Sequence, residues 1–233
     1  LNLPKVALSL KENENFFEKL DEVLEICKES LLCKYYSLLG TNEATSSIHF
    51  RYGGISRLNK NEKIEELLKN GYSTLLLSYV GLPEVVYLLL KKNIKEEEGE
   101  SLAIKILNRI NEVLNNLSNE IGVSFKLYSF YDNVSSKYFI NKDLEEFGYI
   151  KKITDKSSYN SAYFIEDEKL NKIEKLEYEK KFNNLSLGGT INRVDISDLK
   201  MDELEDLIKY IYENVIYCNL KKYEKEIEKY ASN

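Results

Sequence analysis

The best candidates for chemistry in this chain are backbone groups at glycine turns. Asn184-Leu185-Ser186-Leu187-Gly188-Gly189-Thr190-Ile191-Asn192-Arg193-Val194 sets a Gly-Gly pair between two short apolar runs. Glycine admits φ > 0 and lets another group come close to the main chain, so such a turn reads either as a tight structural turn or as a ligand approach. A second unit, Thr74-Leu75-Leu76-Leu77-Ser78-Tyr79-Val80-Gly81-Leu82-Pro83-Glu84, has the same strand-turn-helix character. A third segment, Thr154-Asp155-Lys156 followed by Tyr159-Asn160-Ser161, lies between them.

Side chains able to act as nucleophiles, bases or metal ligands are few. His49 is the single histidine, so a Ser-His-Asp or Cys-His site would have to use it, and it reads as a partly buried loop residue. Cys27, Cys33 and Cys218 are odd in number and lack recurrent spacing, which argues against a secreted disulfide framework and for a reducing cytoplasm. Cys27 and Cys33 point in different directions on a helix, and Cys218 has no partner cysteine nearby, so no metal ligand is assigned. Glu65-Glu66 and Glu96 to Glu98 sit among lysines as solvated carboxylates, and no catalytic residue is assigned.

Helices and strands must position those turns. Phe16, Leu20, Val23, Leu24, Cys27 and Leu31 predict an amphipathic helix over about residues 13 to 38, with Cys27 in its core face. A polar loop over 41 to 60 and a short helix near 61 to 70 lead into a strand from Ser73 to Val80, and Gly81 and Pro83 start the next helix. Leu102, Ile106, Leu107, Ile110, Val113, Leu114 and Leu117 form the stripe of the longest helix, stopped by Gly122. Val123 to Phe130 reads as a strand, Tyr163 to Ile165 as a brief one, and the Lys- and Glu-rich residues 167 to 184 as lying outside the core. A helix through Leu204 to Tyr212, a last strand from Val215 to Cys218 and an amphipathic tail carrying Leu220, Tyr223, Ile227 and Tyr230 close the chain. Strands separated by helices define an α/β class, in which ligands sit at strand ends and in the loops that follow.

Net charge −6 argues against a general nucleic-acid binder, and no run of about 18 apolar residues suggests a membrane span. The eighteen tyrosines are spread through every element and read as packing residues. No charged region precedes an apolar core, so no signal peptide is read. Leu1 in place of Met, with Leu1-Asn2-Leu3-Pro4 reading as a strand end, suggests a piece of a longer chain, although a processed chain gives the same start.

In order, these segments resemble the later barrel of the class III anaerobic ribonucleoside-triphosphate reductases. The family's G-Y-I-G-L-x-E corresponds to Ser78-Tyr79-Val80-Gly81-Leu82-Pro83-Glu84, its T-D-K-x-Y-Y-T-N-S to Thr154 through Ser161, and its L-S-T-G-G to Leu185 through Gly189. The resemblance runs from Asn2-Leu3-Pro4 to about Asn219, where the helix ending Tyr212-Glu213-Asn214 also fits. It implies part of a ten-stranded α/β barrel over residues 1–219, with 220–233 as the tail. Tyr79, Gly81, Asn160, Ser161, Gly188 and Gly189 become the expected substrate-binding residues.

In the complete family enzyme, the resemblance implies a glycyl radical installed by a radical S-adenosylmethionine activating enzyme, a loop cysteine that takes the ribose 3′-hydrogen, formate as reductant and a structural zinc. The loop cysteine is expected before Leu1, and the zinc pairs and glycyl loop after the last strand. This chain alone is therefore expected to carry no cofactor and not to reduce nucleotides. A ribonucleoside triphosphate, the activating enzyme and a second copy of the chain are the expected partners. One departure bears on the first: the family's Y-G-T-P-A-E-S at a helix start, a phosphate-binding turn, aligns with Tyr128-Ser129-Phe130-Tyr131-Asp132-Asn133-Val134. Bulky rings and an anionic Asp132 there should weaken triphosphate binding. Two further readings stand beside a barrel fragment or diverged relative. One is an inactive reductase-like module that binds ligands or subunits; the other is a free-standing α/β enzyme.

Overall fold

A computed structural model of the chain describes residues 1–165 and 170–222. Residues 1–3 lie beside Val80, through a parallel bridge at Asn2. The helix α1 (Leu3–Leu8) then starts at once, because the Asn2 side chain accepts the Lys5 N–H and Pro4 suits the first turn. The Leu1-Pro4 segment is thus a strand contact and a helix cap together. α2 (Phe16–Leu38) follows, capped by Asn15, and buries Phe16, Leu20, Leu24 and Leu31. Residues 41 to 60 are not all loop, since they hold the short helix α3 (Ser47–Phe50).

β1 (Thr74–Ser78) leads through Gly81 into α4 (Leu82–Leu90), and α5 (Glu97–Ile121) returns the chain to β2 (Ser124–Tyr128). Gly122 ends α5 at φ 74°, as its position predicts. β1 and β2 pair in parallel, Thr74 opposite Ser124 through Ser78 opposite Tyr128. α6 (Asn133–Phe147) and α7 (Lys172–Asn183) precede β3 (Asn192–Asp195), and α8 (Met201–Asn214) connects it to β4 (Cys218–Lys221). β3 and β4 are also parallel, and a parallel bridge from Ser129 to Thr190 joins the two pairs. The architecture is α/β.

The side-chain period of two divides this wall into faces. Leu77, Phe125 and Leu127 are buried in the main core with Leu24, Val86, Ile106 and Ile110 of the helices. On the opposite face Leu76, Lys126 and Tyr128 are left partly open. Each pair of parallel partners shares a face, so Arg193 with Asn219, and Asp195 with Lys221, continue one side of the β3–β4 pair.

Three further expectations change. Tyr163 to Ile165 is a buried turn instead of a strand, introduced by Ala162 at φ 49°. Residues 172–183 do not lie outside the core, because Leu176, Glu179 and Phe182, three apart, form a buried row while the lysines occupy other positions. The last strand begins at Cys218, since α8 persists to Asn214. The tail residues Tyr223, Ile227 and Tyr230 lie outside the described residues.

Candidate functional site

The open face of the wall ends in a cavity of 380 Å³ bordered by Tyr128 at the end of β2 with Phe130 just beyond it, Ile191 just before β3 with Arg193 inside it, Asn219 and Lys221 of β4, and Tyr131 at the rim. Tyr128 and Phe130, Ile191 and Arg193, and Asn219 and Lys221 are each two residues apart, so these six share one face, while Tyr131 closes the rim. The Tyr128 and Phe130 rings stack at 5.0 Å, and the Arg193 guanidinium lies 5.6 Å from the Tyr131 ring centroid. Aromatic faces beside cationic groups suit a planar, negatively charged ligand. Tyr131 also borders an adjoining cleft of 280 Å³, whose other side is the segment from Lys156 to Ser161.

Hydrogen bonds tie the separate motifs into one unit. The buried Glu84 carboxylate of α4 takes the Lys156 ammonium at 2.9 Å and the Asn160 N–H at 3.1 Å through Oε1, while Oε2 has no hydrogen-bond partner. Gly81 N–H donates to the Asn160 carbonyl at 2.8 Å. The buried Asp143 of α6 accepts from Asn2 Nδ2, at 2.9 and 3.1 Å, and from the Tyr159 hydroxyl at 2.8 Å. Burial holds this carboxyl above its ordinary value against those two donors. Gly188 N–H donates to the Leu127 carbonyl at 2.7 Å, and Ser129 N–H to the Gly189 carbonyl at 3.1 Å.

At the start of α6, Asp132 is the N-cap, and its Oδ1 accepts from Val134 N at 3.1 Å and Ser135 N at 2.9 Å. The amides that would receive a phosphate are therefore satisfied by a carboxylate of the chain itself. The Ser161 hydroxyl holds the same turn by accepting the Asp132 N–H at 3.0 Å.

Behind the wall lies a buried polar chain. Tyr79 OH accepts from Ser129 Oγ at 3.1 Å, which lies 2.7 Å from Ser186 Oγ. Tyr163 OH lies 2.6 Å from both Asn183 Oδ1 and Thr190 Oγ1. Asn183 Nδ2 then donates to Asn192 Oδ1 at 3.3 Å, and Asn192 Nδ2 to Glu179 Oε2 at 2.7 Å. Lys175 Nζ reaches Tyr131 OH and the Arg193 carbonyl, linking this chain to the open face. It is also 3.4 Å from Glu179 Oε1, within ion-pair range but misaligned for a hydrogen bond, which leaves Oε1 without one.

Burial raises the Glu179 carboxyl to about 6 despite Lys175 and Asn192. Between its ordinary 4.5 and about 6, the folded protein keeps a proton that the unfolded chain releases. Stability from this group is full below the lower value and is lost as pH rises through the upper one, by about 2 kcal/mol. Glu179→Gln keeps an acceptor for Asn192 and removes the ionisation. Urea denaturation at pH 4.5 and 7 should show that the substitution gains about 2 kcal/mol relative to wild type over that interval; an unchanged difference would contradict the assignment.

The six expected substrate residues separate spatially. Asn160 and Ser161 line the 280 Å³ cleft. Tyr79, Gly81, Gly188 and Gly189 form the packed wall behind it. Gly81 follows the C-terminal end of β1, and Gly188-Gly189, between α7 and β3, pack beside the C-terminal end of β2, yet neither turn borders the two cavities above. The reason is packing, since Pro4 fills the space beside Gly81, and Leu76 with the Leu127 carbonyl fills that beside Gly188. The two turns lie at the same end of the β1–β2 pair, and the cavity expected between them is neither of the two described above. His49 is exposed on α3, not partly buried, with Nδ1 2.7 Å from Ser46 Oγ.

Residues missed from sequence include Asp143, Glu179 and Lys175, while Glu84 is legible only as a helix-start acid within its motif. A signal existed for Glu179, an acid in the row Leu176, Glu179, Phe182. Cys27 is half-buried and Cys218 stands at the head of β4; burial pushes both thiols up, that of Cys218 to about 11. Among the described residues no three His, Cys, Asp or Glu side chains cluster as metal ligands, so these do not fit the zinc site that the resemblance implies. No helix among them is long and apolar enough to cross a membrane.

An α/β wall with a polar groove at its strand ends is the kind of scaffold on which enzymes bind substrates. Residues 1–223 match the family model of the anaerobic ribonucleoside-triphosphate reductase, and the chain belongs to that family. The Haemophilus influenzae enzyme of that name is 30% identical over 223 residues, and that of Enterobacteria phage T4 is 29% identical over 226. These alignments take 93% of this chain but 32% and 36% of the relatives, so the chain spans about a third of the curated relatives it matches. The anaerobic ribonucleotide reductase of Thermotoga maritima in complex with dATP and CTP superposes with a TM-score of 0.68 at 19% identity, over 94% of this chain and 35% of that one. The same enzyme with citrate in the active site gives 0.66 at 17% identity, over 95% and 39%. These last two are likenesses of fold.

Proposed function

We propose that the chain forms part of the substrate-cavity wall of an anaerobic ribonucleoside-triphosphate reductase, as part of a closed ten-stranded barrel. The observation that carries this reading is the face bearing Tyr128, Phe130, Ile191, Arg193, Asn219 and Lys221, whose cavity no helix among the described residues lines. A nucleoside placed there would meet rings and cations, with Asn160 and Ser161 at the adjoining cleft. Radical chemistry, the activating enzyme and zinc belong on this reading to other parts of the full-length family enzyme, because none of the three thiols is among the residues lining the groove. Backbone NMR during titration with a ribonucleoside tests the placement. Shifts confined to 128–131, 191–193 and 219–221 are expected; shifts elsewhere, with none here, would contradict it.

The capping of α6 by Asp132 favours a second reading, a reductase-like module that binds without catalysis. It predicts the same nucleoside contacts with no grip on the phosphates. Phosphate recognition, developed in the Discussion, thus separates the two.

A further inference from the structure

A cleft of 390 Å³ runs along α4 to its C-terminal end, on the far side of Lys156 from the strand-end groove. Five lysines, 91, 92, 95, 152 and 156, border it against Glu84 and Glu96, a local excess of three positive charges in a chain of net charge −6. Lys92 is paired with Glu98 at 2.6 Å and Lys156 with Glu84 at 2.9 Å. Lys91 and Lys152 differ, because among the described residues neither forms an ion pair.

These two lysines come from separate segments and converge on one ring. Lys91 Nζ is 5.6 Å and Lys152 Nζ 4.7 Å from the Tyr87 centroid. Both have positive φ, 56° and 68°, which residues with a Cβ seldom adopt. A lysine at Lys91 complements the C-terminal end of α4, and its ammonium also lies 3.3 Å from the Leu88 carbonyl. That account does not extend to Lys152. Two like charges held around one ring repel each other across less than about a Debye length, and an anion between them relieves the repulsion.

We infer that this cleft binds a compact polyanion of the di- or triphosphate class, recognised by Lys91, Lys152 and Lys156. Its volume falls within the range of small-ligand pockets. The Tyr87 ring already takes two ammoniums, so recognition is by charge and not by stacking on a base. The phosphates can come from a nucleotide or from inorganic polyphosphate, and the two differ in whether a nucleoside adds affinity. The inference does not rest on the cavity-wall reading, because it uses none of the open-face residues.

Calorimetry on the full chain at low salt, with tripolyphosphate and separately with ATP, provides the test. Saturable binding of both is expected, weakened about tenfold or more in the exposed double variant Lys91→Gln/Lys152→Gln and at high salt. Lys5→Gln, altering an exposed lysine paired with Glu146, should leave binding unchanged. Equal affinities identify the phosphates alone as the ligand, and tighter ATP binding assigns the site to nucleotides. Absence of saturable tripolyphosphate binding, or binding that the double variant leaves intact while folded by circular dichroism, would overturn the inference.

Discussion

Gly81→Ala is expected to cost about 4 kcal/mol of stability. The residue sits at φ 77°, where a Cβ costs about 1–2 kcal/mol. The methyl would also lie 2.2 and 2.4 Å from Cγ and Cδ of Pro4, whose ring is buried in α1 and cannot swing aside as a flexible side chain would. Relief requires α1 to move from α4, and with it the Asn2–Val80 bridge and the Asn2–Asp143 bonds. Gly122→Ala separates the two contributions, since its φ is 74° and no atom lies within 4 Å of the added carbon. Urea denaturation should show a loss of about 1 kcal/mol at Gly122 and several times that at Gly81. Equal losses would show that Pro4 packing contributes nothing.

The second large effect concerns Lys156. Its ammonium is half-exposed, whereas the carboxylate it serves, Glu84, is buried at the start of α4 with one oxygen already lacking a hydrogen bond. Removing the two partners is therefore unequal. Lys156→Met strands a buried negative charge, which the N-terminal dipole of α4 and the Asn160 N–H only partly offset, and should cost about 3 kcal/mol. Glu84→Gln leaves the lysine able to turn to water and keeps an acceptor for Asn160, so its expected cost is about 1 kcal/mol. Chemical denaturation of the two variants at neutral pH measures the difference. A smaller loss for Lys156→Met than for Glu84→Gln would contradict the assignment of Glu84 as the dependent partner.

Much of the scaffold was legible where local rules decide conformation. The α5 stripe and its stop at Gly122, and the passage from β1 through Gly81 and Pro83 into α4, follow from helical periodicity and from the backbone preferences of glycine and proline. α6 was hidden because its buried positions, Ser136, Ile140 and Asp143, mix polar with apolar residues, so no stripe shows in the sequence. Glu179 was hidden for a related reason, since a buried acid among lysines looks like a solvated one until Asn192 is brought to it. The Glu84–Lys156 pair joins residues 72 apart. Order along the chain identified both motifs, but only the folded contact shows that they support each other. The sequence leaves the glycine turns open between a structural turn and a ligand approach, and the close neighbours of Gly81 and Gly188 are Pro4, Leu76 and Leu127 of the chain itself.

Asp132 bears on the central claim, that this reductase-family wall presents a groove for a nucleoside whose phosphate-binding turn is closed by the chain's own carboxylate. Opening it by Asp132→Ala frees the Val134 and Ser135 amides at a cap cost of about 1 kcal/mol, and removes a like charge facing phosphate. The deciding measurement is calorimetry with a ribonucleoside triphosphate on the Lys91→Gln/Lys152→Gln background, with and without Asp132→Ala. Weak binding that tightens by about tenfold or more on opening the turn is the predicted result. Micromolar binding with Asp132 in place, lost when residues 130–134 are altered, would contradict it.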